Sequence, residues 1–416
     1  MNRPSTEQLK AVADEYDYML YLDSNGYADQ YGRWNHLLMA SNNLPIECQE
    51  GTSEAWLAFK NELDTQQHSS ILPVFFSYDL KNSFENLTSQ HPALSGFPFA
   101  GAFLPEVLFG HQRNGESIQI GTLPSDIRID ENENRLQNFH VTPDTSREDY
   151  KEQFQKIREH LKRGDIYETN YCIRFSANIP HLDPIKLFER LNAQSPSPFA
   201  SLLKWKNAWL IGSSPERFIT RNADIVISQP IKGTARRTGD IETDRATIEK
   251  LKVDPKERAE NIMITDLVRN DLSHFALPGS VEVKELCGIY PYNRVFQMIS
   301  TVEARIEPDL KNCSLIETAF PMGSMTGVPK IRAMEIADET ETFRRELYSG
   351  SVGYFDGSDR CDLNVVIRSF LWNADSGLLS FSTGGAITIR SDADQEYDEC
   401  LLKAEALLQC LKELNK

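Results

Sequence analysis

The chain has 416 residues, 40% of them hydrophobic and 25% charged, enough to bury a large core in two or three domains or in one large α/β body. Its 61 acidic and 44 basic side chains leave a net charge of −17, which repels phosphate backbones and anionic lipid, so neither nucleic acid nor membrane is an expected partner. The seven cysteines are scattered and include no CxxC pair, which speaks against zinc and thioredoxin-like sites and for reduced core thiols. The first residues carry no apolar leader-like run and no long apolar stretch follows, so the expected location is cytoplasmic. Neither a P-loop nor a GxGxxG motif is present, and nucleotide binding is not indicated.

Residues 1–140 read as a β-rich N-terminal region, with strand-like runs at Asp17–Leu22, Ile71–Tyr78, Pro98–Phe109 and Ser117–Ile120. The segment Ile127–Asn138 alternates and then turns polar, which places the principal linker near 135–147 and a second region over 141–416. A helix is predicted over Arg147–Arg163, from Tyr150, Phe154, Ile157 and Leu161 at helical spacing, with Thr145 or Ser146 as cap and Gly164 as stop. Asp165–Ser176 alternates as a strand, and strands and long helices interleave from there on.

Asp224–Ser228 is a short β-branched strand that Pro230 ends, and Gly233 suits a tight turn. Lys232 sits between them. Alone, it reads as a surface lysine beside Arg236 and Arg237; at the mouth of a fold it would be a point charge or, with a pKa below the ordinary value of about 10.4, a nucleophile. Glu216, on the turn after the apolar strand Ala208–Ile211, is a candidate general acid whose pKa a closed pocket would raise.

Lys256–Leu272 reads as a buried helix, apolar nearly all round, with Glu257 and Glu260 on one edge and Asp266 with Arg269 as an internal structural pair. Near the end of the chain Glu396, Glu399 and Lys403 share one helix face. Two such ExxE pairs are either solvated faces or, if they meet, an all-oxygen site that suits Mg²⁺. Phe320–Lys330 is a glycine-rich turn entering a helix over Ile331–Glu341; its Ser324, Thr326 and Lys330 suit a carboxylate or another anion. Gly350–Phe355 and Cys361–Arg368 read as neighbouring strands, and Arg368, ending the second, requires an anionic partner.

Taken in order, Gly164–Asn170, Ser213–Phe218, Pro230–Thr234, Lys256–Asn261, Asp266–Asp271, Gly323–Lys330, Ser349–Phe355 and Glu396–Glu399 resemble the chorismate-utilising enzymes, over about residues 145–410. Tyr21–Asn25 and Phe76–Leu80 extend a weaker likeness toward the N-terminus. The resemblance is closest to the aminodeoxychorismate synthase subfamily, with anthranilate synthase component I as the alternative. It implies an α+β fold in which two large antiparallel-rich sheets pack face to face with helices outside, both regions contributing to one intertwined body.

The resemblance also implies Mg²⁺ between chorismate and Glu260 and Glu399, with Glu257 and Glu396 beside them through waters. Tyr348, Arg368 and Lys403 match positions that hold substrate carboxylates, and Gly384 and Gly385 match a glycine turn lining the pocket. Thr234 and Thr326 fall within the matching substrate-binding motifs. Lys232 matches the lysine that attacks ring carbon 2 in aminodeoxychorismate synthases, and Glu216 the acid that helps the ring hydroxyl leave. The implied product is aminodeoxychorismate, on the para-aminobenzoate and folate route, with ammonia from a separate glutamine amidotransferase subunit. Four positions depart from the pattern: Glu168 stands where many amination enzymes have glutamine, and Gln297 where anthranilate synthases have histidine. Ala386 replaces a third glycine, which should narrow the pocket slightly, and Met322 replaces glycine or alanine.

Overall fold

The computed structural model describes residues 2–66, 71–124 and 139–414. The expected alternation over Ile127–Asn138 therefore lies outside the described residues. Among the described residues the strands form one sheet of eleven and one of ten, and every ladder between them is antiparallel. Strand Tyr18–Asp23 lies between Trp34–Ser41 and Phe199–Trp205 in the larger sheet. Ile71–Phe76 pairs with Ser351–Asp356 in the smaller one.

Alternation within the strands explains the layering. In Tyr18–Asp23, Tyr18 and Leu20 enter the core between the sheets, whereas Met19 and Tyr21 enter the core under the outer helices. Both faces are covered, so the strand reads as an unbroken apolar run. Between the sheets Trp205 meets Phe75 edge-on, with centroids 4.8 Å apart. Gly101 allows this contact, because a Cβ there would lie 2.5 Å from the Phe75 ring and 2.8 Å from Trp205. Helices Thr6–Glu15, Arg147–Arg163, Pro184–Gln194 and Ala393–Leu414 cover the outer face of the larger sheet. Ser53–Gln66, Pro255–Ser273 and Asn312–Ala319 pack on the core of the smaller. The α+β architecture of two sheets with helices outside is as expected.

Helix Arg147–Arg163 has the predicted bounds: Ser146 Oγ accepts from Asp149 N–H at 3.1 Å, and Gly164 closes the helix at φ 78°. Three expectations need correction. Pro98–Phe109 is two strands, Ala100–Ala102 in the smaller sheet and Val107–Gln112 in the larger, because the chain changes sheets between them. The linker near 135–147 is not free chain at its described end, since Thr142 and Pro143 pair with Ser176 and Phe175. Helix Pro255–Ser273 is buried on one face only: Ile264, Val268 and Leu272 face the core, Ile262 is exposed, and Asp266 pairs with Arg269 at 2.8 Å on the solvent side. All seven cysteines are buried and unpaired. Among the described residues no helix is long and apolar enough to cross a membrane.

Candidate active site

Lys232 lies on strand Ile231–Arg236 at the edge of the smaller sheet, not in a turn. The ladder with Val295–Arg305 slips between Ile231 and Thr234, where Gly233 takes φ 102°. Such a bulge re-aims side chains. A Cβ on Gly233 would come within 3.0 Å of Met298 and 3.2 Å of a Glu257 carboxylate oxygen. Asn261 of the neighbouring helix pins the bulge, donating from Nδ2 to the carbonyls of Lys232 and Met298 at 3.1 Å each.

The Lys232 ammonium reaches across to the larger sheet, where Glu168 Oε1 lies 3.4 Å away. Glu168 is 1% exposed, and its Oε2 has no hydrogen-bond partner. Burial alone would lower the lysine pKa, but the carboxylates of Glu168, Glu260 and Glu216 together raise it above the ordinary value. The expected depression is thus reversed in the free site, because negative charge outweighs desolvation.

Glu216 sits where the chain passes from strand Ala208–Ser214 of the larger sheet to Arg217–Asn222 of the smaller. Burial pushes its carboxyl up to about 7, against the opposing effects of Ser324, the Ile231 N–H, Lys232 and Arg368. Its neighbour Arg217 is locked between Asp29 and Asp362.

The two ExxE pairs lie within electrostatic reach of one lysine, Lys256. Burial would lower the Lys256 pKa, yet Glu260, Glu396, Glu399 and Glu257 all act on this one ammonium and raise it. Burial also pushes the Glu260 carboxyl up to about 7, and the carboxyls of Glu257 and Glu396 rise for the same reason. Glu399 moves down, because Lys403 Nζ, 2.7 Å away, offsets its burial. Gly385 leaves room at the junction: a Cβ there would lie 3.1 Å from Glu396 Oε2 and 3.8 Å from Glu399 Oε1. Among the described residues no group of three or more acidic, histidine or cysteine side chains is placed to hold a metal ion. An all-oxygen donor set with space between its members suits a cation that keeps several waters and takes only one or two protein carboxylates.

Residues 20–409 match the family described as chorismate binding enzyme. The chain belongs to that family. Among its curated relatives is aminodeoxychorismate synthase component 1 of Klebsiella aerogenes, 36% identical over 81% of this chain and 76% of the relative. The protein of that name from Escherichia coli strain K12 is 34% identical over the same shares. The fold is similar to that of anthranilate synthase component I from Streptococcus pneumoniae TIGR4, with a TM-score of 0.77, 22% identity, and coverage of 91% of this chain and 93% of that one.

Several expected site residues of this chorismate binding enzyme are placed differently from the sequence reading. Gly384 and Gly385 lie within strand Leu378–Thr388, opposite Cys172 and Tyr171, and do not form a turn. The strand containing Cys361 ends at Asn364; Arg368 follows in the connection, at φ 51°. It has no ion-pair partner among the described residues, and burial lowers its pKa against the pull of Tyr292 and Glu216. Lys330 is not free for an anion, because its Nζ is held by Asp271 Oδ2 at 2.8 Å and by the Ala319 carbonyl at 3.1 Å. The Thr326 hydroxyl is turned inward to the Met322 and Gly323 carbonyls. Thr234 is exposed, opposite the buried Gln297. Tyr348 is buried, its hydroxyl 3.8 Å from Cys172 Sγ. Lys403 holds the Gly384 carbonyl at 2.8 Å as well as Glu399. Sequence reasoning missed the clamp by Asn261, for which a polar residue in the buried stripe of its helix was the available signal. The 50 Å³ cavity lined by Asp23, Trp34, His36 and Asp362 contains none of these residues.

Proposed function

We propose that this chain is component I of an aminodeoxychorismate synthase. It converts chorismate and ammonia to 4-amino-4-deoxychorismate, the ammonia coming from a separate glutamine amidotransferase subunit. One observation carries the reading: Lys232 is aimed into a junction of the two sheets, ringed by carboxylates that include the buried Glu216, whose carboxyl burial pushes up to about 7. A lysine and a protonated carboxyl facing one space are the nucleophile and general acid that replacement of a ring hydroxyl requires. The curated relatives named above support the choice of subfamily.

In this mechanism Lys232 bonds to ring carbon 2, and Glu216 protonates the departing hydroxyl, which leaves as water. Ammonia then adds and the lysine is released. Arg368 and Lys403 supply charge for the substrate carboxylates. Glu260 and Glu399 would hold Mg²⁺, with Glu257 and Glu396 beside them through waters; the ion would neutralise a substrate carboxylate. Gln297 has no proton to exchange near neutrality, so the product keeps its enolpyruvyl group.

The test is product identity. The pure chain is incubated with chorismate, Mg²⁺ and ammonium, and the product is analysed by mass spectrometry with and without an added lyase. A product that retains the enolpyruvyl group and becomes aromatic only with the lyase is expected. Stoichiometric pyruvate and anthranilate fluorescence from the chain alone would overturn the proposal.

A further inference from the structure

We propose that Glu168 is the proton acceptor that turns Lys232 from an ammonium into a nucleophilic amine. The inference rests on the reading of Lys232 as the nucleophile and concerns a residue to which that reading gives no part.

The geometry singles Glu168 out. Four carboxylates act on the Lys232 ammonium: Glu168 from strand Glu168–Asn178, Glu216 from the crossing between sheets, Glu260 from helix Pro255–Ser273 and Glu399 from helix Ala393–Leu414. Among the described residues only Glu168 lies within ion-pair distance of Nζ, at 3.4 Å. Glu216 has to arrive protonated to serve the leaving hydroxyl, and Glu260 and Glu399 would hold Mg²⁺ in that reading. Glu168 is left with no other task, and it has spare capacity: Oε1 faces the lysine, while Oε2 is buried without a partner.

A protonated lysine has no lone pair, and the surrounding carboxylates hold the proton on it. Solvent is a poor recipient, because the Lys232 side chain is 13% exposed and that of Glu168 1%. Direct transfer balances without solvent: Nζ gives one proton to Glu168, so ammonium and carboxylate become amine and carboxylic acid. The freed lone pair forms the bond to the ring carbon. The ring carbon–oxygen bond breaks, and the oxygen takes the proton of Glu216 and leaves as water, with the positive charge now on the lysine nitrogen. When ammonia displaces the lysine, the amine recovers its proton from Glu168, the newly bound nitrogen gives its surplus proton to Glu216, and both groups are reset.

Two readouts on Glu168→Gln test this. The first needs no turnover: Lys232 of the free protein is labelled with trinitrobenzenesulfonate across a pH series and quantified by peptide mass spectrometry. Removing the carboxylate should lower the labelling midpoint by about one unit or more, a tenfold gain in amine at a given pH. The second is ammonium-dependent turnover at fixed free ammonia. The rate of the variant is divided by that of wild type at each pH, so that the titration of Glu216 cancels; this ratio should be about a hundredth near neutrality and recover as pH rises. An unshifted midpoint, or a wild-type rate and profile in the variant, overturns the assignment. If Glu168→Gln does not fold, Glu168→Asp carries the test: it keeps the charge but draws it back, so the rate should fall while the midpoint stays near wild type, and an undiminished rate overturns the assignment. Absence of amination by the wild-type chain would remove the function proposed above, whereas the labelling shift reports on Glu168 itself, so the two failures are told apart.

Discussion

Two clusters of buried charge in this molecule are built on opposite principles. Around Arg217 the guanidinium is saturated: Nε and Nη2 meet Asp362 at 2.8 and 3.0 Å, and Nη1 meets Gln229 at 2.7 Å and Asp29 at 3.2 Å. Around Lys232 carboxylates exceed cations, two glutamates are pushed up to about 7, and Glu168 keeps one oxygen unpartnered. The first arrangement is complete as it stands and holds strands of the smaller sheet together. The second is left unbalanced, and burial of uncompensated charge is what a ligand, an ion or a proton would relieve.

The sharpest way to break this contrast is to delete one cation from each cluster. Lys232→Ala should leave the fold intact and reduce formation of the aminated product by about a thousandfold or more, measured with ammonia as donor. Unchanged turnover would rule the lysine out as nucleophile. Arg217→Leu should do the reverse, costing about 3–5 kcal/mol of stability in urea unfolding, because two buried carboxylates lose their partner. A loss below about 1 kcal/mol would mean that the saturated cluster is no tighter than a surface pair.

Glu216→Gln sharpens the comparison through pH. The folded-state pKa of about 7 lies above the ordinary 4.5, so the native state resists losing this proton. The favourable contribution is fully present below about pH 4.5 and is lost as pH rises through about 7. Glu216→Gln should therefore add up to about 3 kcal/mol at pH 8 and almost nothing at pH 4, read from denaturation midpoints at the two pH values. An equal gain at both would show that the carboxyl is not strained. The smallest effect is expected on the cation side: Glu260→Gln and Glu399→Gln should each weaken chorismate binding about tenfold to a hundredfold in the presence of Mg²⁺, by titration calorimetry. Binding equal to wild type in both would leave the two ExxE pairs as partly solvated helix faces.

The local chain was enough for much of the molecule. Ser146, Gly164 and the apolar spacing between them determine the helix Arg147–Arg163, because caps and side-chain periodicity act within a few residues. The motifs named Lys232, Glu216 and the ExxE pairs as candidates, since their residue types and order are written in one dimension. What those groups face was decided by tertiary structure. Gly384 and Gly385 read as a turn until pairing with Tyr171 and Cys172 drew them into a strand, and Gly233 became a bulge because Val295–Arg305 pairs on both sides of it. Glu168 and Lys232 belong to different sheets, and no local pattern brings them to 3.4 Å. The direction of the lysine pKa shift has the same origin: burial acts one way and the carboxylates of distant segments the other, and only their positions in space say which is larger.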